Sequence, residues 1–330
     1  MSLEAGPATA TGERRFDVTT FGEALLRLSV ADGQRLETAG SFAVHVAGAE
    51  INVAAALAGL GRRVAWGGGL PDGRLGERVL RHLRSFGIAS DCVVTLPDAR
   101  LGTYYVELAS APRRTDVIYD RAGSAAARVR HHDVPWEPLL DTAVLHLTGI
   151  TPALSADAAA VVAEAVHRAK AAGVKVSFDV NYRAKLWSAA AAARTLAPLI
   201  ADADLLICGE GDAATVFGVS GTVEAVVAGL ARLAPKAMVV LTSGERGAAA
   251  LVGSQLVTAP GVAVEVRDGL GAGDALAAGV IDGWLSGSLE QGLRQGVALA
   301  SMALASDGDA LVVTRAELEG VMGEGRRVQR

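Results

Sequence analysis

The residues best suited to chemistry gather in one run of this 330-residue chain, Asp268-Gly269-Leu270-Gly271-Ala272-Gly273-Asp274, which opens onto an apolar stretch with helical spacing. Small residues just before a helix leave backbone N–H groups uncovered. Those donors, with the helix dipole, favour an anion. A carboxylate in the first turn would repel a phosphate if the loop did nothing but hold one. Asp274 makes sense there as a general base that takes the proton of an attacking hydroxyl, while the amides of Gly271, Ala272 and Gly273 hold a phosphoryl group. The alternative is that Asp274 only complements the dipole, at about 0.3–1 kcal/mol, and the glycines form a tight turn.

Competing phosphate motifs fail. The chain has no GxxxxGKS/T, so it is not a P-loop protein. A GxGxxG fingerprint begins at Gly269 and Gly271, but Asp274 stands where its third glycine belongs. The loop also lies late in the chain, which disfavours a dinucleotide oxidoreductase. Other polar candidates lie elsewhere. Tyr119 and Arg121 are two apart on an extended segment and share a face with each other; Tyr104 is on the preceding one. Arg183 follows a strand that ends at Asp179. Two arginines at one hydroxyl-rich pocket suit a carboxylate, each charge-assisted hydrogen bond contributing about 1.5–3 kcal/mol. From the hairpin alone, an exposed strand face with amphipathic packing explains Tyr119 and Arg121 as well.

The elements that must position these residues alternate. Extended segments are expected at Phe16–Phe21, 24–30 and 36–46, then a helix over 50–60 closed by Gly61. A short strand, 63–66, leads into a glycine loop at Gly67-Gly68-Gly69, and a helix follows over 75–86. Residues 101–108 and 115–121, rich in Tyr, Val and Thr, read as a hairpin joined at Ala111-Pro112-Arg113. Strands are then expected at 143–147, 174–179, 203–207 and 237–242, with helices over 155–172, 189–200, 212–217 and 223–233. A β-rich stretch, 247–266, precedes two apolar helices, 271–285 and 289–305. Strand–helix alternation argues for an α/β fold with a mainly parallel sheet, whose ligands sit outside the carboxyl ends of the strands.

Composition narrows the classes. Hydrophobic residues make up 51% of the chain and net charge is -5, without a Lys/Arg block, so disorder is excluded and no nucleic-acid or membrane partner is expected. Cys92 and Cys208 cannot build a disulfide framework and lack zinc-site spacing. No apolar run suggests a secretory signal or membrane helix, so a cytoplasmic address is expected, with residues 1–15 as a flexible N-terminal tail.

Two signatures in order carry a resemblance. Asp268-x-x-Gly271-Ala272-Gly273-Asp274 resembles the C-terminal signature of the ribokinase-like (PfkB) carbohydrate kinases, and Gly48-Ala49-Glu50-x-Asn52-Val53-Ala54…Leu60-Gly61 resembles the N-terminal one. Asp179-x-Asn181-x-Arg183…Leu186-Trp187 and Thr242-x-Gly244-x-x-Gly247 fall between them in family order. By resemblance the chain is identified as a member of that family over about residues 16–320. The resemblance implies a ribokinase-like three-layer α/β/α sandwich with a mainly parallel central sheet and a small β-sheet lid. Residues 16–324 would form the kinase domain, with lid segments at about 30–46 and 98–122. It implies ATP with Mg2+, and allows a monovalent cation such as K+. Asp274 is then the base, Gly271, Ala272 and Gly273 the anion hole, and Thr242, Gly244, Gly247, Gly271, Gly273, Ala298 and Met302 the nucleotide contacts. Plain helix packing explains Ala298 and Met302 equally well.

One departure concerns the metal. The family usually carries Asn-x-x-Glu, whereas this chain has Gly209-Glu210-Gly211-Asp212. Asp212 falls at the Glu position and is the candidate to hold a magnesium water, with Glu210 nearby. Alternatively, Asp212 is only a helix N-terminal acid.

Tyr-x-Arg on the lid, Asp-x-Asn-x-Arg…Leu-Trp in the core and Gly308-Asp309 before the last helix resemble the 2-keto-3-deoxygluconate kinases. That implies sugar-acid contacts from Gly48, Tyr104, Tyr119, Arg121 and Arg183, with Asn52 a further candidate and Asp179 and Asn181 as residues that order Arg183. The expected reaction is phosphorylation of 2-keto-3-deoxygluconate at its primary hydroxyl. Kinases for a neutral ketose such as fructose or for another sugar acid, and a non-catalytic sugar or nucleotide sensor, stay open as alternatives. A homo-oligomer, dimer or higher, is expected through the lid.

Overall fold

The computed structural model describes residues 14–109, 113–252 and 255–323; the expectations that fall on residues 1–13, 324 and the hairpin residues Ala111 and Pro112 lie outside them. The strands are β1 (Phe16–Phe21), β2 (Leu25–Ser29), β3 (Ala43–Ala47), β4 (Val64–Pro71), β5 (Ala89–Leu96), β6 (Gly102–Glu107), β7 (Asp116–Asp120), β8 (Thr142–Thr148), β9 (Lys175–Asp179), β10 (Leu205–Gly209), β11 (Met238–Thr242), β12 (Gly247–Val252) and β13 (Gln255–Pro260). The helices are α1 (Ala49–Gly59), α2 (Arg74–Ser85), α3 (Ala125–Arg128), α4 (Trp136–Leu140), α5 (Ala156–Ala171), α6 (Ala189–Ala201), α7 (Glu210–Phe217), α8 (Val223–Leu233), α9 (Ala272–Leu285), α10 (Leu289–Leu304) and α11 (Arg315–Gly323).

The large sheet has the order β13-β12-β11-β10-β9-β8-β1-β4-β5. It is parallel from β5 to β11 and ends in the antiparallel β12–β13 hairpin. Both faces are covered, so even the polar residues of its central strands, among them Thr19, Thr20, His146 and Ser177, are buried. One face packs Val18, Val144, Ile207 and Val240 against α1, α2, α9 and α10. The other packs Leu145, Val176, Phe178 and Leu241 against α5, α6 and α8. This is the expected α/β sandwich with its mainly parallel sheet. A second sheet, β3-β2-β6-β7, forms the small layer.

Several local expectations need correction. Gly67, Gly68 and Gly69 are not a loop but lie inside β4. The strand passes so close to its neighbours that a Cβ on Gly68 would sit 2.2 Å from the Gly22 carbonyl oxygen. Tight packing and a turn leave the same glycine signal in sequence. The small sheet takes in β2, ahead of the 30–46 segment assigned to the lid, and within that segment only Ala43–Ala47 is a strand. Residues 261–266 form no strand, and the edge strand β5, half-exposed and polar at intervals, went unforeseen. Arg14 and Arg15, placed in the flexible tail, are anchored: Arg14 donates to the Ala172 carbonyl at 3.0 Å, and Arg15 pairs with Asp91 at 3.0 Å.

Two helices position the candidate residues. α1 is buried from Glu50 to Leu57 and packs on α9. α9 in turn lies against α10 with almost no side chain between them, a Cβ on Gly283 falling 2.2 Å from Gly292 Cα. That rigid pair fixes the start of α9.

Candidate active site

The N-terminus of α9 is the centre of the site. Gly271 caps it in the left-handed region, φ +82, and a Cβ there would lie 2.1 Å from the Asp309 carbonyl oxygen. Only glycine fits both constraints. The first intrahelical bond runs from Ala275 N–H to the Gly271 carbonyl, so the preceding amides, those of Ala272, Gly273 and Asp274, have no partner within the helix. Gly273 is exposed, and no atom lies within 4 Å of where its Cβ would be.

Asp274 is buried, and its Oδ2 accepts a hydrogen bond from Asn52 Nδ2 at 2.7 Å. Burial pushes its carboxyl up to about 6. The Asn52 and Asn181 side chains and the Arg183 charge pull it down, and the Asp309 charge adds to the rise. Asn52 therefore does not spend its amide on capping its own helix. Its Oδ1 is buried with no partner among the described residues, an acceptor turned toward nothing in the protein.

A single cavity brings together Gly48, Asn52, Tyr104, Tyr119, Arg121, Arg183, Gly271 and Asp274. Gly48, at φ +150, lets the chain enter α1 where a Cβ would meet the Glu23 carbonyl oxygen at 2.2 Å. The lid supplies a stack: the Tyr104 and Tyr119 rings are 5.3 Å apart, and the Arg121 guanidinium lies 5.2 Å from the Tyr119 ring centre. Tyr104 donates to Asp309, which also pairs with the buried Arg27; Arg27 reaches Asp268 as well, at 2.5 Å. A buried network thus joins lid strands β2 and β6 to the loop before α9. Arg183 is exposed at the rim of this cavity, and its charge reaches the carboxyls of Asp179, Asp212 and Asp274.

Asp179 and Asn181 sit beside this cluster. Asn181 occupies the left-handed region, φ 40, and donates from Nδ2 to Asp179 Oδ2 at 3.3 Å. Burial raises the Asp179 carboxyl to about 8, with the charges of Asp274 and Asp212 adding to it. Its link to Arg183 is electrostatic; no hydrogen bond between them accompanies it among the described residues.

The other candidates lie apart from the cavity. Thr242 ends β11 opposite Gly209 of β10, and a Cβ on Gly209 would stand 3.7 Å from both Thr242 Oγ1 and the Asp212 carboxyl. Asp212 Oδ2 accepts from Tyr182 N–H at 3.0 Å. Glu210 turns away to pair with Arg246, so it is not a second acid beside Asp212. Gly244 opens a short 3-10 turn and Gly247 begins β12. Ala298 is buried against Ala275 and Leu299, whereas Met302, half-buried, lines a separate cavity with Val262–Asp268. Among the described residues no three Asp, Glu, His or Cys side chains converge on one point. The donor set, one half-buried carboxylate and a threonine hydroxyl, fits Mg2+ that keeps most of its waters; it does not form a protein cage.

Sequence reading missed Glu23, Arg27 and the role of Glu50. Glu50 is wholly buried; its Oε1 accepts from Thr148 Oγ1 at 2.8 Å and from Thr151 Oγ1 at 3.0 Å, and burial raises its carboxyl to about 7. These partners lie about a hundred residues away in the chain, so no local pattern announces them.

Known proteins resemble this chain along nearly its whole length. The model of the pfkB family carbohydrate kinases matches residues 15–315. A 2-dehydro-3-deoxygalactonokinase of Haloferax volcanii is 38% identical over 310 residues, 94% of this chain and 97% of its own. A 2-dehydro-3-deoxygluconokinase of Bacillus subtilis is 30% identical, covering 89% and 91%. The crystal structure of 2-dehydro-3-deoxygluconokinase from Thermotoga maritima superposes with a TM-score of 0.90 at 31% identity, covering 94% of this chain and 99% of that one. With a buried aspartate at a bare helix start and relatives matched along nearly their whole length, the chain belongs to the pfkB family of carbohydrate kinases.

Proposed function

We propose that this kinase transfers the γ-phosphoryl group of ATP to the primary hydroxyl of a 2-keto-3-deoxy sugar acid, giving the 6-phosphate. Asp274 is the base. The observation that carries the reading is that a buried carboxylate, at a helix start whose first amides lack intrahelical partners, and two arginines line one cavity. The arginines anchor the carboxylate of the substrate, which sets its far hydroxyl toward α9. Asn52 Oδ1 accepts from the sugar, and Asp274 takes the proton as the hydroxyl oxygen forms its bond to phosphorus and the bond to ADP breaks. The amides of Gly271, Ala272 and Gly273 spread the charge on the transferred group. Mg2+, held through its waters at Asp212 and Thr242, supplies further neutralisation of phosphate charge when bound.

The gluconate-derived acid is the substrate expected from sequence. The 38% identity to a 2-dehydro-3-deoxygalactonokinase favours its galactonate-derived epimer as a second reading. Release of ADP with Mg-ATP against both acids and fructose tests the proposal. Turnover of either acid well above fructose supports it; turnover of fructose alone overturns it, and no turnover with any of them favours a sensor. The small sheet acts as the lid of a kinase domain spanning 16–324, and its exposed Val44 and Ile118, with Phe42 just before β3, support self-association. Among the described residues no helix is long and apolar enough to cross a membrane.

A further inference from the structure

Arg121 does not enter the cavity as a free cation. Its Nε donates to Glu23 Oε2 at 2.8 Å, and its Nη2 donates to the same oxygen. The other carboxylate oxygen, Oε1, accepts from Ser124 Oγ at 2.6 Å. Glu23 is 2% exposed and Arg121 9%, so water screens the pair little. Burial pushes the Glu23 carboxyl up, and the Arg121 charge is the strongest influence holding it down. Glu23 also fixes the backbone at the mouth of α1, since its carbonyl oxygen occupies the space a Cβ on Gly48 would need. It lies between β1 of the large sheet and β2 of the lid, while Arg121 directly follows β7. One side chain therefore ties the far strand of the lid to the floor of the site.

We infer that Glu23 is a positioning residue that sets the specificity of the pocket through Arg121; this deepens the sugar-acid reading and rests on it. The Nε–Nη2 edge is spent on Glu23 and the guanidinium face lies on Tyr119, which leaves Nη1 as the edge offered to a ligand. Glu23 also cancels the Arg121 charge. The guanidinium at the rim without a hydrogen-bonded acid among the described residues is then that of Arg183, whose charge acts on Asp179, Asp212 and Asp274 only through space. Arg121 recognises a carboxylate by direction, and Arg183 supplies the net attraction.

The test is a double-mutant cycle on full-length protein, with kcat and KM measured for the sugar acid and for ATP. Glu23→Ala is expected to raise KM for the sugar acid about tenfold or more, with kcat and the KM for ATP within about threefold. Glu23→Gln, which keeps an acceptor for Nη2, is expected to restore most of that loss. In an Arg121→Leu background Glu23→Ala is expected to change KM little, because its effect passes through the arginine. Additive effects of the two substitutions, or a fall in kcat without a rise in KM, overturn the inference. If Glu23→Ala does not fold, Glu23→Asp, whose shorter side chain draws the carboxylate back from the guanidinium, carries the same comparison alone and with Arg121→Leu. Wild-type preference for the acid over fructose is the separate control: its absence removes the sugar-acid reading, whereas its presence with an inert Glu23 removes only the inference.

Discussion

Glu50 gives the sharpest test of the electrostatics under the site. Its carboxyl is fully enclosed, accepts from Thr148 and Thr151 on one oxygen, and lies against Gly22, where a Cβ would come within 2.1 Å of it. Burial raises it from an ordinary 4.5 to about 7, so the fold favours its neutral form. A raised acid gives stability that is fully present below the unfolded value and lost as pH rises through the folded one. At about 1.4 kcal/mol per pH unit, that loss reaches about 3 kcal/mol by pH 8. Glu50→Gln keeps the accepting oxygen and cannot ionise. Measured by urea unfolding, it should be more stable than the wild type by about 3 kcal/mol at pH 8 and by less than about 1 kcal/mol at pH 5. A difference that does not change between those pH values, or a variant less stable at both, would refute the reasoning.

Other predictions follow from the same geometry. Because Asp274 must be ionised to act as a base and is raised to about 6, log kcat/KM for the sugar acid should fall with unit slope below pH 6 and level off above it; a profile flat to pH 5 contradicts this. Arg121→Leu should lower kcat/KM for the sugar acid by about 10- to 150-fold, equivalent to about 1.5–3 kcal/mol, and leave fructose unaffected; equal losses on both count against carboxylate recognition. Gly271→Ala should cost at least about 2 kcal/mol in thermal unfolding, because alanine meets both the left-handed backbone and the Asp309 carbonyl. Wild-type stability in that variant would show the cap to be looser than described.

The site was legible where function imposes a short-range pattern. Gly48–Asn52 and Asp268–Asp274 each place several constrained backbone positions within one turn, and both lie where the residue types suggest. The inner parallel strands were legible because both faces are buried and apolar residues recur along them, whereas the parallel edge strand β5, half-exposed, was not. Illegible features depend on contacts across the chain. Arg121 and Glu23 are 98 residues apart and Arg27 and Asp309 are 282 apart, so neither acid advertises its partner. Glu210 looked like a neighbour for Asp212 by proximity in sequence, yet the helix turn directs it to Arg246. Gly67–Gly69 read as a loop because sequence does not separate glycine needed for close packing from glycine needed for a turn.

The central claim is that Asp274 removes the proton of the attacking hydroxyl. Asp274→Asn keeps the size of the side chain at the start of α9, so the measurement is kcat for Mg-ATP-dependent phosphorylation of the sugar acid, with calorimetric binding of the acid and the melting curve as controls. The account predicts a fall in kcat of about 10²–10⁴-fold with binding and fold retained; near-normal kcat in that variant would contradict it.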